Sequence, residues 1–147
     1  MRFICDVMLG RLAKYLRVLG FDAEYVRSEA ELERLREEGG DRILLTRRTK
    51  AMRFPHTVRI RSESAREQLN EIKGLISASI APERVLNRCI ECNRELIEVD
   101  KEEIESLVPE FVYHQYGRFK QCPSCARVYW EGSHVAGLDR LIEEITN

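Results

Sequence analysis

Four cysteines stand in two identical short pairs, Cys89-x-x-Cys92 and Cys122-x-x-Cys125. Two residues between cysteines let both sulfurs face one cation from a single tight turn. Two such turns supply the four thiolates that a tetrahedral structural zinc takes. Pro123 stiffens the second turn; Arg94 follows the first pair, Ala126-Arg127 the second, and each leads into a strand-like stretch. Disulfides and free thiols are the alternatives, and spacing this regular argues against both. A closed four-cysteine site leaves no open position for chemistry, so the reacting groups are sought elsewhere.

Asp6 is the sharpest residue of the first half. It ends the apolar run Phe3-Ile4-Cys5 and precedes a helical pattern carrying Arg11 and Lys14. A carboxylate there is costly unless it is paired or holds a metal. One reading is a Mg²⁺ or Mn²⁺ ligand that activates water against a phosphodiester. The other is a helix-start cap or an ion pair with Arg11. Glu29 and Glu31 follow the second strand pattern and are candidate partners, although Ser28-x-x-Glu31 also reads as a capping box. Glu63 has the same ambiguity, sitting in the first turn of a helix.

Residues 42–61 hold seven cations (Arg42, Arg47, Arg48, Lys50, Arg53, Arg59, Arg61) and no acid. Such a segment is hard to neutralise internally and suits phosphate, with a solvated face as the alternative. Arginine outnumbers lysine 19 to 5, and its planar fork matches phosphate geometry. The same bias, with four Asn and three Gln, also fits the ion-pair-rich surface of a thermophile. His56, His114 and His134 are not spaced as a ligand or catalytic set. Tyr113, Tyr116, Phe119, Tyr129 and Trp130 gather around the second cysteine pair, where a small ribbon needs core; stacking on bases is the minor reading. Cys5 reads as a buried small hydrophobe.

The elements that must position these groups follow from periodicity. Residues 2–7 read as a buried strand. Leu9, Leu12, Leu16 and Leu19 line one face of a helix closed by Gly20. Residues 23–27 form a second strand, and Ser28 opens a helix that Gly39-Gly40 stops. Ile43 to Thr46 is a third strand, apolar throughout as a doubly covered strand should be. Thr57 to Arg61 is a fourth, and Ser64-x-x-Glu67 caps a helix running to Ile76. This order argues a parallel α/β sheet with helices on both faces. Its ligands would gather at the carboxyl ends of the strands, by Asp6, Arg27 to Glu29, Thr46 to Arg48, and Arg61 to Glu63. Beyond a connector at 77–87, strands are expected at 96–99, 118–121 and 127–130. An Asp100-x-x-Glu103 capped helix ended by Pro109 and a last helix over 133–145 complete the pattern.

The stretch Phe3-Ile-Cys-Asp6-Val-Met-Leu-Gly10-Arg-Leu-Ala-Lys-Tyr-Leu-Arg-Val-Leu-Gly20-Phe-Asp22 resembles the opening of the Mut-seven C-terminal ribonuclease family. So do Ile43-Leu-Leu-Thr46-Arg47, the two cysteine pairs and Arg127-Val-Tyr-Trp130-x-Gly132-Ser133-His134. The resemblance covers nearly the whole chain. It implies a PIN-like nuclease domain joined to a C-terminal zinc ribbon, with RNA cleaved by a metal ion held at the carboxyl edge of a parallel sheet. Asp6 matches the family's first acid. Glu29 and Glu31 fall where a further acid is common. After Leu-Leu-Thr-Arg the family has an acid, and this chain has Arg48. That exchange moves the local charge by two units and should weaken divalent metal binding. Either a single metal is kept through Asp6 and Glu29 or Glu31 while Arg48 stabilises the pentavalent phosphate, or Asp41 or Glu63 fills the gap, or catalysis is lost and RNA binding kept.

The expectation is thus a PIN-like α/β domain over 1–80 and a four-cysteine zinc ribbon with a C-terminal helix over 81–147. It is a Mg²⁺- or Mn²⁺-dependent ribonuclease, or else a catalytically degenerate RNA- or ribosome-binding module. Asp6, Glu29, Glu31 and Arg48 form its reaction centre, and Arg11, Lys14, Arg47, Arg48, Lys50 and Arg53 handle phosphate. Residues 1–80 carry net +4 and residues 81–147 net -5, which places an RNA partner on the first part. No apolar run approaches a membrane span, so a soluble cytoplasmic protein is expected. A reducing compartment also favours zinc over disulfides.

Overall fold

In the first sheet every strand runs parallel, in the order β2-β1-β3-β4. The strands are β1 (Arg2–Cys5), β2 (Asp22–Tyr25), β3 (Ile43–Thr46) and β4 (Thr57–Arg59). Parallel neighbours need crossovers, and α1 (Gly10–Val18) and α2 (Glu29–Glu37) supply the first two. The computed structural model describes residues 1–49, 54–130, 140 and 143. Lys50, Arg53, the 132–134 motif and, apart from Arg140 and Glu143, the helix expected over 133–145 lie outside the described residues.

Side-chain alternation along the two central strands builds two cores. Phe3, Cys5 and Leu45 point to the face covered by α1, α3 (Ala65–Glu71) and α4 (Lys73–Ile76), meeting Leu12, Leu16, Leu69 and Ile76. Ile4 and Leu44, one residue out of phase, point to the other face and meet Leu32 and Leu35 of α2. The register pairs Ile4 with Leu44 and Cys5 with Leu45, so a one-residue slip would exchange the cores. Gly20 ends α1 at φ +92°, and a Cβ there would lie 2.6 Å from the Arg84 carbonyl oxygen. Both the conformation and the space require glycine.

Two expected helices differ. The helix capped by Ser64 breaks at Ile72, whose N–H turns back to Leu69 O in a tighter turn. A β-branched residue followed by Gly74 is a weak place in a helix. The segment after Asp100 forms two 3-10 turns, Lys101–Glu103 and Glu105–Leu107, with no cap bond from the Asp100 side chain. Ile104 is the one buried side chain between residues 101 and 109, too little anchorage to offset helix nucleation. Pro109 instead precedes a helix, α5 (Glu110–Gln115).

The second sheet is antiparallel, β5 (Ile97–Val99), β6 (Phe119–Gln121) and β7 (Val128–Trp130), in that order. Its aromatics are core: Phe119, Val128, Ile104 and Val112 cluster with Tyr113, Tyr116 and Trp130 against them. The two parts are joined by named bonds. Leu86 N–H donates to Val18 O at 2.8 Å, and Arg17 reaches Ile90 O at 2.7 Å. Among the described residues, no helix is long and apolar enough to cross a membrane.

Candidate active edge and metal centre

Asp6 directly follows β1 at the carboxyl edge of the parallel sheet, 1% exposed. Its backbone N–H continues the ladder to Leu45 O at 3.0 Å. The chain then reverses: Leu9 N–H donates to Asp6 O at 3.0 Å, and Met8 sits at φ 79°, uncommon for a residue with a side chain. The turn leaves the carboxylate aimed along the edge. Val7 N–H donates to Oδ1 at 2.8 Å and the Thr46 hydroxyl to Oδ2 at 2.7 Å.

Arg48 completes the arrangement. Its Nε lies 2.9 Å from Asp6 Oδ2 and its Nη2 donates to Oδ1 at 3.2 Å. Its Nη1 donates to Glu29 Oε1, and its backbone N–H donates to Thr46 Oγ1 at 3.1 Å. One guanidinium therefore bridges the acid after β1 and the first residue of α2, while Thr46 ties the backbone of Arg48 to the same carboxylate. Charge-assisted, two-pronged contacts are the strong kind.

The other candidates separate. Ser28 Oγ accepts from Glu31 N–H at 3.2 Å, the N-cap half of a capping box, while Glu31 Oε2 accepts at 2.7 Å from Arg27 N–H, one residue before the cap. Glu29 is thus the acid facing Asp6. Arg11 and Lys14 lie on α1, in a cleft beside this edge, with Lys14 Nζ 3.2 Å from Glu91 Oε1. Arg47 follows Thr46, and its Nε is buried with no hydrogen-bond partner. The basic stretch does not form one surface. Arg42 is 8% exposed at the opposite edge, clamping Asp22 at 2.9 and 3.2 Å and Phe3 O at 3.1 Å. Asp41 precedes β3 and so belongs to that opposite edge, out of reach of Asp6; Glu63 is exposed.

The four cysteine sulfurs all lie within 4.8 Å of one another, with Cys89 and Cys125 3.7 Å apart. A zinc with Zn–S bonds near 2.3 Å sets its sulfurs about 3.8 Å apart, so the cluster fits zinc. Both turns are built alike. Asn93 N–H returns to Cys89 O and Ala126 N–H to Cys122 O, each at 3.0 Å, with Asn93 at φ 59° and Ala126 at φ 65°. Cys92 N–H donates to Cys89 Sγ at 3.4 Å and Cys125 N–H to Cys122 Sγ at 3.5 Å. Burial raises the Cys89 thiol, but the Tyr129 hydroxyl and nearby backbone N–H groups outweigh it and bring it to about 7. Burial and the neighbouring sulfurs push Cys92 up to about 12. Packed thiols resist a second negative charge, and a bound cation reverses that.

Among the described residues, the cysteines are the only group of three or more metal-ligating side chains. At the Asp6 edge the guanidinium takes both carboxylate oxygens and reaches Glu29, so a divalent ion does not fit that arrangement.

Asn93 was not singled out by the sequence. It is 6% exposed; its Oδ1 accepts from Ala23 N–H at 3.0 Å and its Nδ2 donates to Asp22 Oδ1 at 2.8 Å and Glu24 Oε1 at 3.3 Å. The available signal was an asparagine immediately after Cys-x-x-Cys, where a left-handed residue closes the turn.

A parallel sheet with a buried acid ending its first strand, joined to a four-cysteine centre, defines an α/β protein with a zinc-binding module. The family model described as the Mut7-C RNAse domain matches residues 1–142, and the chain belongs to that family. The family points to a nuclease-type function, with RNA as substrate or partner. No curated protein and no solved structure matches the chain.

Proposed function

We propose that this chain acts on RNA as a ribonuclease at the carboxyl edge of its parallel sheet, with Asp6, Glu29 and Arg48 as the reaction centre. The observation that carries the reading is the Asp6 carboxylate, 1% exposed yet fixed at the mouth of the sheet and met by a cation that is itself 35% exposed. Asp6 orients the guanidinium, and the solvent-facing side of Arg48 is available to a phosphodiester oxygen. Fixed guanidinium donors stabilise charge that develops on a phosphoryl group in the transition state. Glu29 is 72% exposed and within reach of a strand lying on Arg48, so it can take the proton of an attacking hydroxyl. Arg47, partly exposed and next to Arg48 in the chain, is a second phosphate ligand.

The Mg²⁺ or Mn²⁺ expected from the resemblance would supply hydroxide and a phosphate clamp. Arg48 lies across both acids that would hold such an ion. The same contact favours a second reading, RNA binding without cleavage: a guanidinium neutralises the acids but does not generate hydroxide.

End-labelled single-stranded RNA, incubated with zinc-loaded protein in Mn²⁺ or in magnesium-free buffer, tests both. Cleavage lost in Asp6→Asn supports the ribonuclease. Salt-dependent binding without cleavage supports the second reading. Absence of binding removes both.

A further inference from the structure

We infer that the cleft between α1, β2 and the first cysteine turn holds the RNA strand adjoining the reacting phosphate, so that the zinc-binding module forms part of the RNA surface. The inference rests on the RNA reading above and extends it beyond Asp6. The cleft measures about 590 Å³ and is walled by Gly10, Arg11, Tyr25, Arg27, Glu91 and Cys92 among others. That volume lies within the range of sites that enclose ligands, roughly 300–1,000 Å³.

Its place in the fold comes first. Val26 N–H bonds Cys5 O at 3.0 Å, one residue before Asp6 on one strand and one before Arg27 on the other. Arg27 thus emerges beside the acid, and Glu29 follows two residues later. A strand seated on Arg48 that continues toward β2 enters the cleft.

Its chemistry comes next. The acids on the wall are already engaged: Glu31 by Arg27 N–H, Glu24 by the Asn93 amide, Glu91 by Lys14. The cations at the mouth are not neutralised to the same degree. Arg11 has no acidic partner among the described residues, and the Arg27 guanidinium lies over the Tyr25 ring, 5.5 Å from its centroid. Two arginines and an aromatic ring lining one cleft suit a polynucleotide, with phosphates on the arginines and a base on the ring. A Cβ on residue 10 would meet the Tyr25 ring at 3.4 Å, ordinary contact distance, so α1 packs closely beside the ring. Arg17, 7% exposed, bonds Ala23 O at 2.9 Å and Ile90 O at 2.7 Å. It fixes the cysteine turn as the far wall, so the cleft exists only while that turn is folded.

The test is fluorescence anisotropy of a labelled single-stranded RNA octamer with the zinc-loaded protein, over a salt series. Arg11→Ala/Arg27→Ala is expected to weaken binding at least tenfold. It should also flatten the salt slope by about 1.4, for two single-strand phosphates at about 0.7 each. Tyr25→Leu is expected to weaken binding about fivefold or more with an unchanged slope, from the loss of one stacked base. Arg11→Lys/Arg27→Lys keeps the charges and should restore the slope, which a folding defect would not. If the cleft variants bind as the wild type does while Arg48→Ala weakens binding, the cleft inference is overturned and the edge reading stands. If the wild type does not bind, both fall.

Discussion

The molecule has two places built for positive charge, and they solve the problem differently. The cysteine centre brings four identical ligands together from two copies of one turn and leaves a space of zinc's size between them. The Asp6 edge brings two carboxylates together and closes the space with a side chain of its own. The first is built to take a cation from solution. At the second, the cation is encoded in the sequence, and its position varies with the rotamer of one arginine. A bound metal ion and a tethered guanidinium thus make different demands: the first couples folding to metal supply, the second couples the site to whatever anion competes for Arg48.

The largest expected effect lies at the cysteine centre. Chelating zinc, or Cys122→Ser, should unfold the antiparallel sheet. Structural zinc contributes on the order of 10 kcal/mol to domains of this kind. Hydrogen exchange should show residues 86–130 exposed first while β1 and β3 stay protected; equal loss in both sheets would break the contrast between the two centres.

Asp6→Ala comes next. It strips Arg48 of its main partner and removes the Asp6 oxygen to which the Thr46 hydroxyl donates at 2.7 Å. A fully buried pair broken this way costs roughly 3–5 kcal/mol. Because Arg48 is 35% exposed, about 2 kcal/mol is expected, read as a lowered urea midpoint.

Asn93→Ala removes the acceptor of the buried Ala23 N–H at the outer edge of β2 and should cost about 1–3 kcal/mol by the same measurement. Asp22 gives a pH version of this contact. Burial raises its carboxyl, but bonds from Arg42 and Asn93 outweigh that and hold it below the ordinary range. Its contribution is therefore fully present above the unfolded value, about 3.9, and is lost as pH falls through the lower folded value. Asp22→Asn should flatten the acid limb of the stability profile. The smallest effect is Lys14→Ala: its pair with Glu91 is exposed, 48% and 44%, and is worth under about 1 kcal/mol.

Much of this was legible in the residues. The apolar run Phe3-Ile4-Cys5, the leucine spacing of α1 and the Ser28 box point to the parallel sheet and its flanking helices. The cysteine spacing located the zinc centre. Register decided what the sequence left open. Glu29 and Glu31 are two residues apart, and only the capping box, once formed, tells which one turns toward Asp6. Arg42 and Arg48 look alike in a basic run, yet they flank opposite ends of β3 and act on opposite edges of the sheet. Asn93 acts across 70 residues of sequence on β2, a contact no local pattern carries. The Asp100 motif opens only 3-10 turns because the segment after it buries little beyond Ile104.

The central claim is that Arg48 holds the position a metal ion would take between Asp6 and Glu29. Calorimetric titration of Mn²⁺ into zinc-loaded protein tests it without RNA. The wild type should show no site beyond the zinc centre. Arg48→Asp should gain one, lost again in Asp6→Asn/Arg48→Asp. A Mn²⁺ site in the wild type that Asp6→Asn abolishes would contradict the claim.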